Sequence, residues 1–164
     1  LDGFARMPAI VGGAVTGLSA DDLAYRPGEQ VNSIGWLVWH LARGEDVQLA
    51  QVSGRDQAYA DGGFAGRFDL PFGPNDFGFG HGPADVARVR VTNPAILIDY
   101  YAAVHARTAD FIGGLEDTDL DRIVDRNWDP PVTLGVRLVS VLGDDLQHGG
   151  QARYLRGWLD SAAG

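Results

Sequence analysis

Asp144-Asp145-Leu146-Gln147-His148-Gly149-Gly150-Gln151 is the stretch on which the reading of this chain turns. It lies within a run, Thr133 to about Asp160, where Leu134, Leu138, Val141, Asp145, His148, Ala152, Leu155 and Leu159 recur at alternating steps of four and three. That stepping lines up one helical face, so the run predicts a long helix whose core-facing stripe carries acids and an imidazole. Asp144 and His148 stand one turn apart (i, i+4). Asp145 and His148 (i, i+3) share a face as well. Gly149-Gly150 costs this helix about 1 kcal/mol per glycine relative to alanine. Two readings fit the pair: close approach of another helix, or room beside His148 for a ligand.

The same stepping recurs further back along the chain. Asn32 or Ser33 opens a helix that continues to about Val52, with Ile34, Leu37, Leu41 and Val47 at helical spacing and His40 among them. Asn93-Pro94, an N-cap followed by proline at the first helical position, starts another helix that Gly113-Gly114 ends. Its seam is Leu97, Tyr101, Val104, Thr108, Phe111 and Leu115. The first helix, about Gly3 to Gly17, is glycine-rich and weaker by propensity. Ser19-Ala20-Asp21-Asp22 reads as a capping box with Asp in place of Glu, opening a short turn that stops before Pro27. A short helix fits Pro83 to Val89, a capped turn fits Thr118 to Asp121, and Arg122 to Pro131 reads as irregular. These elements predict an all-α fold, a four-helix bundle with a long crossover connection, formed as one domain over residues 1–164.

The long connection is Gly54 to Gly82, where glycines and prolines alternate with Phe64, Phe68, Phe72, Phe77 and Phe79. Connections this long without regular structure are covering or functional, and the phenylalanines suit pinning the loop over the bundle. Gly78-Phe79-Gly80-His81-Gly82 imitates a nucleotide loop only superficially, since no strand precedes it and no lysine follows. His81 within it reads as solvent-exposed, and His105 as a core or rim histidine. No G-x-S-x-G elbow is present for a serine hydrolase.

Composition narrows the chemistry. The chain of 164 residues is 45% hydrophobic and 10% aromatic, the profile of a globular protein. A net charge of −9 argues against nucleic acid as a partner. No apolar run approaches the roughly 18 residues of a membrane span, and no export signal is evident, which points to the cytoplasm. Cysteine is absent, so disulfides, thiolate metal ligands and a cysteine nucleophile drop out together. Lysine is absent too, which removes a Schiff-base lysine and a Walker-type loop.

Any metal must therefore be held by nitrogen and oxygen. His40 on one helix with Asp144 and His148 on another form such a set, and three protein ligands leave coordination positions open. A lone histidine on an apolar face is more often a hydrogen-bonded core residue than a ligand. Two of them beside an Asp pair on an apolar stripe are harder to explain that way, because a buried carboxylate needs a compensating partner. Arg137 or Arg153, which flank the segment, could also supply it. Asp145 remains the alternative carboxylate.

At these residues the chain resembles a known family. Asn32-Ser33-Ile34-Gly35-Trp36-Leu37-Val38-Trp39-His40-Leu41-Ala42-Arg43, followed by Glu45-Asp46, is similar to the second-helix signature of the DinB/YfiT-like metal-binding proteins. His148-Gly149-Gly150-Gln151 and Tyr154-Leu155-Arg156-Gly157 resemble their fourth-helix signature. The resemblance implies a four-helix bundle, often dimeric, with one divalent ion on His40, Asp144 and His148. Many members carry His where Asp144 stands. The mycothiol-dependent maleylpyruvate isomerase-like members place a carboxylate there, and this chain looks most like them. That likeness implies zinc, or else nickel, and a transferase or isomerase using mycothiol or a similar thiol against an electrophilic substrate. Gln151 or Arg153 would orient thiol or substrate, and no catalytic residue beyond the ligands is singled out. The alternative is a non-catalytic, stress-associated metal-binding protein of the same family.

Overall fold

The helix breaks fall where residues forbid helix. In the computed structural model, which describes residues 1–162, the first predicted helix is two: α1 (Asp2–Ala5) and α2 (Met7–Val15). Pro8 is the cause, because it has no N–H to give the carbonyl four residues back and its ring crowds that carbonyl. α3 (Ala20–Ala24) starts on the predicted capping box, with Ser19 Oγ accepting from the Asp22 amide and Asp22 accepting from the Ser19 amide. α4 (Ile34–Ser53) starts on Ser33, whose side chain accepts from the Trp36 amide, and it ends at Gly54 in the left-handed region.

The connection that follows is more structured than its glycines suggest. It holds α5 (Ala58–Asp61) and α6 (Phe64–Phe68), then an extended passage, then α7 (Pro83–Arg88). Phe64 and Phe68 are buried and Phe72 packs against the same core, as pins over the bundle should, whereas Phe79 is exposed and pins nothing. α8 (Pro94–Gly113) starts on Asn93, which accepts from the Ala95 amide. A 3-10 turn, Asp117–Asp121, leads into a two-stranded antiparallel hairpin, β1 (Ile123–Asp125) and β2 (Val132–Thr133), where irregular chain was expected. α9 (Leu134–Ala162) completes the fold. The architecture is all-α apart from that hairpin. Among the described residues no helix is long and apolar enough to cross a membrane.

Around the bundle, α4 packs on α9 and α8, and α2 packs on the same two from the opposite side. The diagonal contacts are sparse. α4 and α9, which carry the candidate ligands, thus share the most extensive helix–helix contact in the fold. The buried stripe of α9 runs through Leu138, Val141, Asp145, Gly149, Ala152 and Leu155. It therefore passes through Gly149, and His148 sits at its edge. A Cβ on Gly149 would lie 2.8 Å from Ile10 Cγ2 and 3.2 Å from Met7 Cε, so this glycine serves close approach of α2. Gly150 next to it meets nothing.

Candidate metal centre

α4 brings His40 and α9 brings Asp144 and His148 to one point. One ligand atom from each of the three lies within 4.8 Å of the others. His40 Nε2 is 3.9 Å from Asp144 Oδ2, and His148 Nε2 is 3.4 Å from Asp144 Oδ1. The outer nitrogen of each ring is already committed. His40 Nδ1 donates to the Phe77 carbonyl, and His148 Nδ1, 3.2 Å from Gln151 Oε1, donates to that amide oxygen. These partners assign the tautomers and leave both Nε2 lone pairs facing the Asp144 carboxylate. Two lone pairs and an anion converging on one point repel unless a cation joins them, either a proton or a metal ion. The donor set fits a divalent ion held by two imidazoles and a carboxylate.

Charge is tuned accordingly. Its hydrogen bond to His148 holds the Asp144 carboxyl below the usual range. The same contact raises the His148 imidazole, whereas burial lowers that of His40. Without a metal, these shifts favour a proton on His148 over one on Asp144 or His40.

The Phe77 carbonyl reaches His40 because the loop passes very close to α4. Gly78, at φ +87°, would place a Cβ 2.9 Å from His40 Nδ1 and 3.1 Å from the Trp39 ring, so only glycine fits there. Residues 4–152 match the family model of the DinB superfamily.

The chain belongs to the DinB superfamily.

A crystal structure of a conserved protein from Enterococcus faecalis resembles this DinB protein with a TM-score of 0.88 at 30% identity, covering 94% of this chain and 91% of that one. No curated protein matches it.

Beside the triad a cavity of about 640 Å³ opens to solvent, with His40 and Asp144 in its wall. Arg137 lines it but is paired with Asp125 at 3.1 Å and with Gln48 at 3.1 Å, and so compensates neither Asp144 nor Asp145. Gln151 positions His148 and lines a separate cavity with Gly150 and Tyr154. The structure does not bring Arg153 to the triad. Its guanidinium lies over Gly13 of α2 and fills the space that a Cβ there would need.

Asp145 points away from the triad into the core. It is 1% exposed, and among the described residues no donor reaches either of its oxygens. Its neighbour Glu45 accepts from Tyr101 Oη at 2.9 Å and from Thr108 Oγ1. Burial, and then Glu45, push the Asp145 carboxyl well above its ordinary value. Burial raises the Glu45 carboxyl as well, against the two hydroxyls that donate to it, so both acids of this pair hold a proton more readily than a free carboxyl does. The polar Thr108 in the apolar seam of α8 is explained by this contact. His105, stacked on Tyr101 with ring centroids 6.2 Å apart, is a core and rim residue as expected.

Two supports were not legible in the sequence. Arg43 is fully buried and binds the Pro74 carbonyl at 2.7 Å, the Asp76 carbonyl at 3.1 Å and Gln57 Oε1 at 2.9 Å, with its plane 4.0 Å over the Tyr59 ring. Asp46 accepts from the amides of Ala58 and Tyr59 and from Tyr100 Oη. Together they moor the long loop to α4. His81 corrects the expectation of exposure. Trp36 Nε1 donates to its Nδ1 at 3.2 Å, its Nε2 faces Asp76 Oδ1 at 3.0 Å, and its side chain is 7% exposed. The only signal for these roles was the placement of Arg43, Glu45 and Asp46 within about two helical turns of His40.

Proposed function

We propose that this DinB protein is a divalent-metal-dependent transferase or isomerase that activates a low-molecular-weight thiol, such as mycothiol, for attack on an electrophilic substrate. The observation that carries the reading is the pre-set donor arrangement at the cavity wall: two imidazoles fixed through Nδ1, with both Nε2 atoms turned to Asp144. When bound, a divalent ion would hold the thiol as thiolate and lower its pKa; the nitrogen–oxygen donor set suits zinc first and nickel second.

The residues do the rest by position. Phe77 and Gln151 keep both rings in the ligating tautomer, and Asp144 offsets part of the cation's charge. Three protein ligands leave room for an exogenous donor on the cavity side. The sulfur must come from outside, because the chain contains no cysteine. The proposal includes a homodimer in the cytoplasm, where thiols stay reduced.

The test is elemental analysis of the purified protein, followed by calorimetry with mycothiol, bacillithiol and glutathione in buffers of different ionisation enthalpy. The expected result is one divalent ion per chain, with thiol binding that releases a proton and is lost in His40→Ala. Stoichiometric metal with no heat and no proton release from any of the three thiols would leave a non-catalytic metal-binding protein.

A further inference from the structure

Four near-parallel rings lead out of the core along the cavity wall. Trp36 stacks on His40 with centroids 4.6 Å apart and planes at 14°. His40 lies against Phe77 at 6.4 Å and 10°, and Phe77 against Phe79 at 6.0 Å and 22°. The series starts at buried Trp36 and ends at Phe79, which is 84% exposed. Trp128, 65% exposed, reaches the same cavity from the turn of the β1–β2 hairpin.

A singly exposed aromatic needs no explanation. Two from unrelated segments at the mouth of one cavity, next to convergent polar groups, have the composition of a ligand site. The Phe79 ring continues the planes of the rings behind it, so a flat ring entering from solvent meets a ready stacking surface. Charge sets the second requirement. Arg137 is already spent on Asp125, while Asp144 adds a negative charge. A phosphate or carboxylate on the ligand would therefore find no unpaired guanidinium in this wall.

We infer that the cavity binds an uncharged planar aromatic compound, stacked along Phe77 and Phe79 and covered by Trp128. This names the substrate class for the reaction proposed above; it rests on that reading for the ligand's role but not for its binding.

The probe is 2-naphthol, titrated calorimetrically into the purified protein before and after chelator treatment. One saturable site is expected in both. Phe79→Ala and Trp128→Ala should each weaken binding at least fivefold with helicity unchanged. Tyr154→Ala, in the separate cavity, should leave it unaltered. In the chelator-treated protein 2-naphthoate, the same ring bearing a carboxylate, should bind at least tenfold more weakly than the naphthol. Absence of saturable binding, indifference to both loop variants, or a preference of the chelator-treated protein for the naphthoate would overturn the inference. The thiol reading fails separately, as the lack of any thiolate-to-metal absorption when cobalt-loaded protein meets 2-mercaptoethanol, and that outcome leaves the naphthol titration to be judged by itself.

Discussion

Asp144 and Asp145 are neighbours in α9, yet they occupy opposite electrostatic worlds. A helix turns about 100° per residue, which suffices to send one carboxylate to the cavity and the other into the core. Asp144 faces two imidazoles, and its acidity is strengthened by His148. Asp145 faces another carboxyl with no cation near it, and its acidity is suppressed by burial. The same functional group is a candidate ligand in one setting and a buried acid that holds its proton more tightly in the other. Spacing alone could not separate them, because both offsets to His148 lie on one helical face. Their partners on α4, His40 and Glu45, make the distinction.

The largest effect is expected on the cavity side. His148→Ala should abolish stoichiometric metal binding while leaving the circular dichroism spectrum helical, since His148 lies at the edge of the buried stripe. Elemental analysis showing unchanged metal would move the ligand set elsewhere.

Next in size is the mooring on the core side of α4. Arg43→Met removes the charge that ties residues 57, 74 and 76 to the helix and leaves their polar atoms without a partner. The expected loss is about 3–5 kcal/mol, read by urea denaturation. Because the same loop delivers the Phe77 carbonyl to His40, metal affinity should fall in this variant as well. Full affinity in Arg43→Met would show that the loop is held by other contacts.

The acid pair gives a pH signature. With its folded pKa raised above the unfolded value, Asp145 contributes stability that is complete below about pH 4 and is lost as pH rises through the folded value. Asp145→Asn keeps a donor for Glu45 without needing the proton. Its melting temperature should exceed that of the wild type by a few degrees at pH 8, and the difference should shrink towards pH 4. A variant less stable than wild type at pH 8 would mean that Asp145 is ionised and paired. His148 has the opposite consequence for metal: its raised pKa makes affinity fall with pH below that value, as proton and ion compete for Nε2.

The smallest effect belongs to the support of the ligand. Gln151→Ala should weaken metal binding about tenfold by freeing the His148 ring, without loss of stoichiometry. An unchanged dissociation constant would show that Asp144 alone orients the imidazole.

Much of this was legible in the chain. The caps at Ser19, Ser33 and Asn93 and the four-three stripes located the helices to within a few residues, because those signals are local. The pair Asp144 and His148 was equally local, His40 stood out as an imidazole on a second apolar stripe, and the family resemblance joined the three. What spacing could not show depends on chain far away in sequence. The tautomer of His40 is set by a loop that only Gly78 allows to pass so close, and His81 is buried by the same approach. Arg43 reads as a surface cation until the loop closes over it. Arg153 reads as flanking the site, but its position on the α2 side of α9 takes it elsewhere. The hairpin around Trp128 was missed because its strands are two and three residues long.

The most direct test of the account is a zinc titration of the metal-free wild type beside Asp144→Asn and Asp145→Asn. The division between cavity and core predicts one ion for the wild type and for Asp145→Asn with similar affinity, and at least about a hundredfold weaker binding for Asp144→Asn, on the scale of losing a charged ligand. Retention of affinity in Asp144→Asn together with its loss in Asp145→Asn would contradict it.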